Sequence, residues 1–230
     1  MSGETIIVGH IDGPDTTWIG EELAARGLEH RLVGTHAGEI LPDDPARVVV
    51  LGGPMSVHEE ARTPRVAAEL AWLREAVEAD VPVLGICLGS QLLAHALGGA
   101  AIPGEQGLEH GRIEVRRTQA QHPLSEALAG TFFAFHSDTA QLPPGAELLA
   151  VSDRYPQAWT LGSAFAVQFH PEMSVAGVRQ LIGHEGPKLR ASGIDTDAML
   201  ADAIAAEPQS RRAAADLIGG WLNLRPTTPQ

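Results

Sequence analysis

The chain has 230 residues, 44% of them hydrophobic, which is enough for a sizeable core in one large α/β domain and too many for a disordered chain. Its formal charge of −13 weighs against a nucleic-acid backbone or an anionic membrane as the main partner, and its single cysteine excludes an internal disulfide, so nothing points to an oxidising compartment. The N-terminus MSGETIIVGH lacks a basic region followed by a long apolar run, and no apolar segment approaches the roughly 18 residues that cross a bilayer, so the chain reads as cytoplasmic and soluble.

In chain order, TIIVG at 5–9 predicts a strand, and residues 17–26 carry Trp18, Ile19, Glu22 and Leu23 at helical spacing before Gly27 stops them. Strands follow at 30–33 and 47–51, where the unbroken run RVVVL predicts burial on both faces, as in a parallel sheet. Residues 64–79 place Val66, Leu70, Leu73 and Val77 on one face of a helix that starts at a proline. A buried strand at 82–86 leads into a helix at 88–97, ended by Gly98-Gly99. From 112 to 166 the pattern changes to short strands at 112–117, 131–135, 147–152 and 158–161, separated by turns of which Pro143-Pro144-Gly145 is the clearest. AFAVQF at 164–169 returns as a strand, Ser174 can cap a helix to about His184, and helices at 197–206 and 210–222 are expected to break at Pro208. The tail RPTTPQ reads as loose. This order predicts an α/β fold: a doubly wound, mostly parallel sheet with helices on both faces and an antiparallel edge extension. No repeat and no Ser/Gly linker appears, so a single domain is favoured.

The cysteine lies in PVLGICLGSQ, between a buried strand and a helix. Gly85-Ile-Cys87-Leu-Gly89 has the form of a nucleophile elbow with Cys in place of Ser, where small neighbours permit strained backbone angles. The helix N-terminus would lower the thiol pKa, and the Leu88 N–H would face a developing oxyanion. A buried structural cysteine is the other outcome. A thiolate needs a base, and of ten histidines His170 stands out: it ends AFAVQF and is followed by Pro171 and Glu172, which places His170 and Glu172 on one side of an extended segment. Glu172 can then hold the imidazole's tautomer and orientation; the alternative is an ordinary strand-end His with a solvated Glu. His30, His36, His58, His122 and His184 read as surface residues. Gly52-Gly53, after RVVVL, lets the backbone approach a ligand, and Gly53 N–H is the candidate second oxyanion donor unless the stretch is an ordinary exit from a strand.

Together GGPMS (52–56), PVLGICLGSQLLAHALGG (82–99) and AVQFHPEMS (166–174) resemble the class I (triad) glutamine amidotransferase family. Two weaker matches, GLEHG (107–111) and FHSDTAQLPPGAELLA (135–150), are similar to the glutaminase domain of GMP synthase and its stand-alone relatives. The resemblance covers roughly residues 5–185. It implies a flavodoxin-like domain over residues 1–190, with 191–230 as its C-terminal helical extension. It implies that Cys87 attacks the side-chain amide of L-glutamine, that Gly53 and Leu88 N–H groups hold the oxyanion, that His170 moves the protons and that Glu172 orients it. Gln91 and Ser137 would contact bound glutamine, whereas Glu109 and Gly111 read as structural. No cofactor and no metal is called for. The ammonia would go to an unidentified acceptor or to a separate synthetase subunit, since the chain shows no P-loop and no nucleotide-binding glycine cluster. A γ-glutamyl amide or peptide hydrolase on the same fold, and a catalytically silent interaction protein, are the alternatives. Residues 197–222 are free to close a homodimer interface or to cover the cleft.

Overall fold

A computed structural model of the chain describes residues 3–224. In order its elements are β1 (Thr5–Gly9), α1 (Thr17–Ala24), β2 (His30–Gly34), β3 (Arg47–Val50), α2 (Val57–Glu60), α3 (Pro64–Glu78), β4 (Val83–Ile86) and α4 (Leu88–Ala96). After these come β5 (Ala100–Pro103), β6 (Glu109–Arg117), β7 (Gly130–His136), β8 (Asp138–Gln141), β9 (Glu147–Val151), β10 (Pro156–Leu161), β11 (Ala164–Val167), α5 (Val175–Ala191) and α6 (Thr196–Leu222).

Nine strands form one sheet in the order β2-β1-β3-β4-β11-β10-β9-β6-β7. The first five run parallel, and the last four continue antiparallel. Strand alternation divides the side chains between two cores. Ile7 packs with Trp18, Ile19 and Leu23 of α1 and with Leu217, Ile218 and Trp221 of α6. Its neighbours Ile6 and Val8 face the other way, onto Val66, Leu70 and Leu73 of α3 and Leu92 and Leu93 of α4. Each such fully buried aliphatic side chain contributes roughly 1.5–3 kcal/mol. The unbroken run Val48-Val49-Val50 therefore has a mechanical cause: both faces of β3 are covered.

The structure corrects the sequence in four places. Residues 196–222 form one helix through Pro208, not two broken there. Proline removes one intrahelical bond and crowds the carbonyl four residues back, here that of Ile204, a residue 48% exposed to water that can solvate the displaced carbonyl. Leu217, Ile218, Trp221 and Leu222 anchor the C-terminal end in the core, which outweighs the local penalty. The α5 helix likewise runs past His184 to Ala191 with Pro187 inside it; the carbonyl it crowds belongs to Gly183, which has open space beside it. AFAVQF leaves the sheet at Val167 rather than Phe169, and the small β5–β8 sheet has no counterpart in the sequence reading. The tail RPTTPQ lies outside the described residues.

Candidate active site

Three adjacent parallel strands converge on one point at their C-terminal ends, where open α/β sheets build their sites. Central among them is β4, with β3 on one side and β11 on the other. Cys87 directly follows β4 and is locked to β11 by its own N–H, which donates to the Val167 carbonyl at 2.8 Å. Gly52 and Gly53 leave β3, and His170 follows β11. Residues far apart in the chain thus meet because their strands are neighbours.

Cys87 sits at φ 54°, ψ −106°, a backbone region that costs a non-glycine residue on the order of 1–3 kcal/mol. The turn is tight because α4 packs directly on the sheet: a Cβ on Gly89 would lie 2.2 Å from the Val50 carbonyl oxygen, and one on Gly85 would lie 2.7 Å from the Gly89 carbonyl oxygen. The elbow therefore presents the thiol at the N-terminus of α4, whose first-turn N–H groups have no intrahelical partner. The thiol faces the Phe135 carbonyl at 3.8 Å.

His170 is held from two sides. Its N–H donates to the Phe133 carbonyl at 2.7 Å, and its ring Nδ1 lies 2.7 Å from Glu172 Oε1. The carboxylate thereby assigns the proton on Nδ1 and leaves Nε2 free for the Cys87 thiol. Both side chains are buried. Burial by itself would lower the imidazole pKa. The charges of Glu172 and Cys87 and the hydrogen bonds to both outweigh it, and His170 titrates well above its ordinary 6.5. A Cβ on Gly52 would approach His170 Cε1 to 2.9 Å and Cys87 Cβ to 3.7 Å, so only glycine lets this loop lie over the pair.

These groups line a cavity of about 580 Å³ that also reaches Ser56, His58, Asp138 and, on α5, Leu181 and His184. A glutamine amidotransferase model for class I matches residues 15–180, most of the chain. The chain belongs to the class I glutamine amidotransferase family. It is 39% identical over 134 residues to a GMP synthase (glutamine-hydrolysing) of Thermomicrobium roseum, which covers 56% of this chain and 24% of that protein. It is 35% identical to the glutamine amidotransferase-like protein YfeJ of Salmonella typhimurium, covering 67% of this chain and 69% of YfeJ. The structure of a glutamine amidotransferase from Thermotoga maritima superposes with a TM-score of 0.88 at 26% identity over 97% of this chain and 100% of that one. The chain spans about a quarter of the length of the GMP synthases it matches.

Within this amidotransferase, the residues expected from sequence fall as follows. Cys87, Leu88, Gly53, His170 and Glu172 all line the cavity, as do Gln91 and Ser137. Gln91 does more than face a ligand: its amide Nε2 donates to the Asp138 carbonyl at 3.0 Å and to Gln168 Oε1 at 3.3 Å. It holds the turn at 136–138 in place. The same carbonyl accepts from His136 Nδ1 at 2.9 Å, and His136 Nε2 meets Glu109 Oε2 at 3.0 Å. Glu109 is buried, which favours its neutral form, but His136, Ser152 and Gln157 all donate to it and bring its pKa below the ordinary carboxylate value. It ties together three residues of the antiparallel extension, His136, Ser152 and Gln157. Gly111 takes a φ of +76° that favours glycine.

Three features escaped the sequence. His10 and His136 are buried, and His122 is half-buried with its ring stacked on Phe165 at 5.3 Å. At the cavity rim Ser56 hydrogen-bonds Asp138 and lies 2.6 Å from His58 Nδ1; His58 is exposed, as its surface reading expects, and also lines the cavity. His10 was legible in principle, because it ends the first parallel strand, the same position that marked His170.

Proposed function

We propose that this amidotransferase hydrolyses the side-chain amide of L-glutamine through a γ-glutamyl thioester on Cys87. The observation that carries the reading is the juxtaposition of a cysteine strained at a helix N-terminus with an imidazole already held by a carboxylate. The Cys87 thiolate attacks the amide carbon, and the oxyanion that forms is met by the N–H groups of Gly53 and Leu88. His170, whose imidazolium form is favoured by Glu172 and Cys87 against the cost of burial, gives its proton to the departing ammonia. It then takes a proton from water, which attacks the thioester, releases glutamate and regenerates the Cys87 thiolate beside the imidazolium. Glu172 keeps the imidazole in register throughout. Free ammonia passes to an acceptor, which we assign to a separate synthetase subunit on the strength of the likeness to part of GMP synthase.

The test is the release of ammonia and glutamate from L-glutamine by the purified chain, alone and with a candidate synthetase. No release in either condition would sink the reading. A second reading is favoured by the size of the cavity, which exceeds what one glutamine fills: turnover of γ-glutamyl amides but not of glutamine would establish a γ-glutamyl amide hydrolase instead.

Two predictions arise directly. Glu172→Gln removes the anion that favours the imidazolium, so the alkaline limb of kcat/KM should move down towards pH 6.5, and kcat should fall by about two to four orders of magnitude. A pH–rate profile checks both, and an unmoved alkaline limb would remove Glu172 from this role. Gln91→Leu removes one of the two side-chain donors to the Asp138 carbonyl, leaving His136 Nδ1, and loosens the turn at 136–138. KM for glutamine should rise roughly tenfold with kcat largely kept, the signature of lost ground-state binding.

A further inference from the structure

Besides His170–Glu172 and His136–Glu109, a third buried imidazole–carboxylate pair lies beneath the Gly52-Gly53 turn, and the proposed chemistry has no part for it. His10 follows β1, and its Nε2 lies 2.8 Å from Oε1 of Glu69 on α3. Both side chains are 1% exposed. Glu69 occupies the core face of α3, flanked by Val66, Leu70 and Leu73, and its Oε2 has no hydrogen-bond partner among the described residues. Burying a polar pair here costs more than an apolar pair of the same shape would. Stability is therefore a poor reason for it, and its position offers a better one.

The pair sits in the crevice between β1 and β3, where the strand order reverses. His10 Nδ1 faces the Gly52 carbonyl oxygen at 3.4 Å. That carbonyl and the Gly53 N–H belong to one planar trans peptide, in which C=O and N–H point in opposite directions. Holding the oxygen against His10 therefore aims the Gly53 N–H away from His10, and Gly53 itself lines the cavity. Two acceptor oxygens, Glu69 Oε1 and Gly52 O, face the two ring nitrogens, so the ring is held at both ends. Contact reinforces the aim: a Cβ on Gly53 would lie 2.6 Å from His10 Cβ and 2.9 Å from Leu88 Cδ2, so the turn is pressed between the His10 side chain and the first residue of α4.

We infer that His10 and Glu69 are positioning residues for the oxyanion site: they clamp the Gly52–Gly53 peptide so that its N–H is aimed before substrate arrives. The inference rests on the glutamine-hydrolysis reading above. Neither residue touches substrate; Glu69 acts through His10, and His10 through one peptide plane.

The test replaces both members at once, His10→Phe with Glu69→Leu, so that no buried charge is left unpaired and the thermal midpoint should hold or rise. A donor that is mis-aimed rather than deleted should cost about 10- to 100-fold in kcat/KM for glutamine, chiefly in kcat. Binding of glutamate γ-semialdehyde, which forms a tetrahedral oxyanion on Cys87, should weaken by a similar factor. Alkylation of Cys87 by iodoacetamide, which forms no oxyanion, should keep its rate. His10→Asn in the Glu69→Leu background puts an amide Nδ2 where Nδ1 was and should recover much of the lost kcat. Wild-type turnover and aldehyde binding in the double variant would overturn the clamp while leaving glutamine hydrolysis standing. Parallel loss of melting temperature, alkylation rate and turnover would also overturn it, as a purely structural role. A wild-type chain that neither hydrolyses glutamine nor binds the aldehyde would overturn the underlying reading, and the clamp with it.

Discussion

Exchanging sulfur for oxygen at Cys87, in Cys87→Ser, should abolish glutamine hydrolysis, with a loss of roughly four orders of magnitude or more. The elbow would keep its shape, because serine has the same branching and the strain at φ 54° is a property of the turn. What disappears is the nucleophile. In the native site the thiol shares its environment with His170, and the charge and hydrogen bond of Cys87 help raise the imidazole pKa. A serine hydroxyl holds no comparable charge at rest, so His170 would lose part of that support and would have to remove the proton within the transition state itself. Binding should survive, since Gln91, Ser137 and the proposed backbone donors Gly53 and Leu88, which line the same cavity, are untouched. The measurement is steady-state ammonia release beside covalent labelling by a glutamine-analogue electrophile. Residual turnover within tenfold of wild type would move the chemistry away from Cys87.

Gly89→Ala should damage the fold itself, by about 4 kcal/mol, and lower the melting temperature by roughly 10 °C. The added methyl would sit 2.2 Å from the Val50 oxygen, 2.8 Å from its carbonyl carbon and 2.9 Å from its Cβ. Two of these three atoms are main chain of β3, which is fixed by pairing to β1 and β4 and has no rotamer to turn away. Relief requires α4 to lift from the sheet, which would drag the Cys87 elbow and the Leu88 N–H with it. Turnover by whatever fraction remains folded should fall too. Thermal unfolding followed by circular dichroism measures the first effect. A midpoint within about 2 °C of wild type would show that α4 can shift at little cost.

Much of this arrangement is legible in the order of residues alone. Gly-x-Cys-x-Gly between a strand and a helix marks an elbow because only small residues tolerate the crowding that Gly85 and Gly89 show. His170-Pro-Glu172 marks a candidate base and orienter because extended backbone puts alternate residues on one side, and His170 Nδ1 does lie 2.7 Å from Glu172 Oε1. The parallel half of the sheet is visible in VVVL and PVLGI, whose continuous hydrophobicity needs cover on both faces. Helix ends at proline are misread because the local cost of the ring says nothing of the packing that overrides it, as at Pro208 and Pro187.

By itself, then, the sequence determined the parallel strands, most of the helices and which side chain is the candidate nucleophile, because those depend on periodicity and on neighbours within a few residues. Only the tertiary structure decided what stands behind them. Gln91 is tied to the Asp138 carbonyl across 47 residues, His10 to Glu69 across 59, and His136 to Glu109 across 27. These partnerships leave no local pattern: each joins a polar residue to another whose proximity comes from strand order and helix packing. Burial then makes each one matter, since a polar group removed from water must find its partner inside the protein.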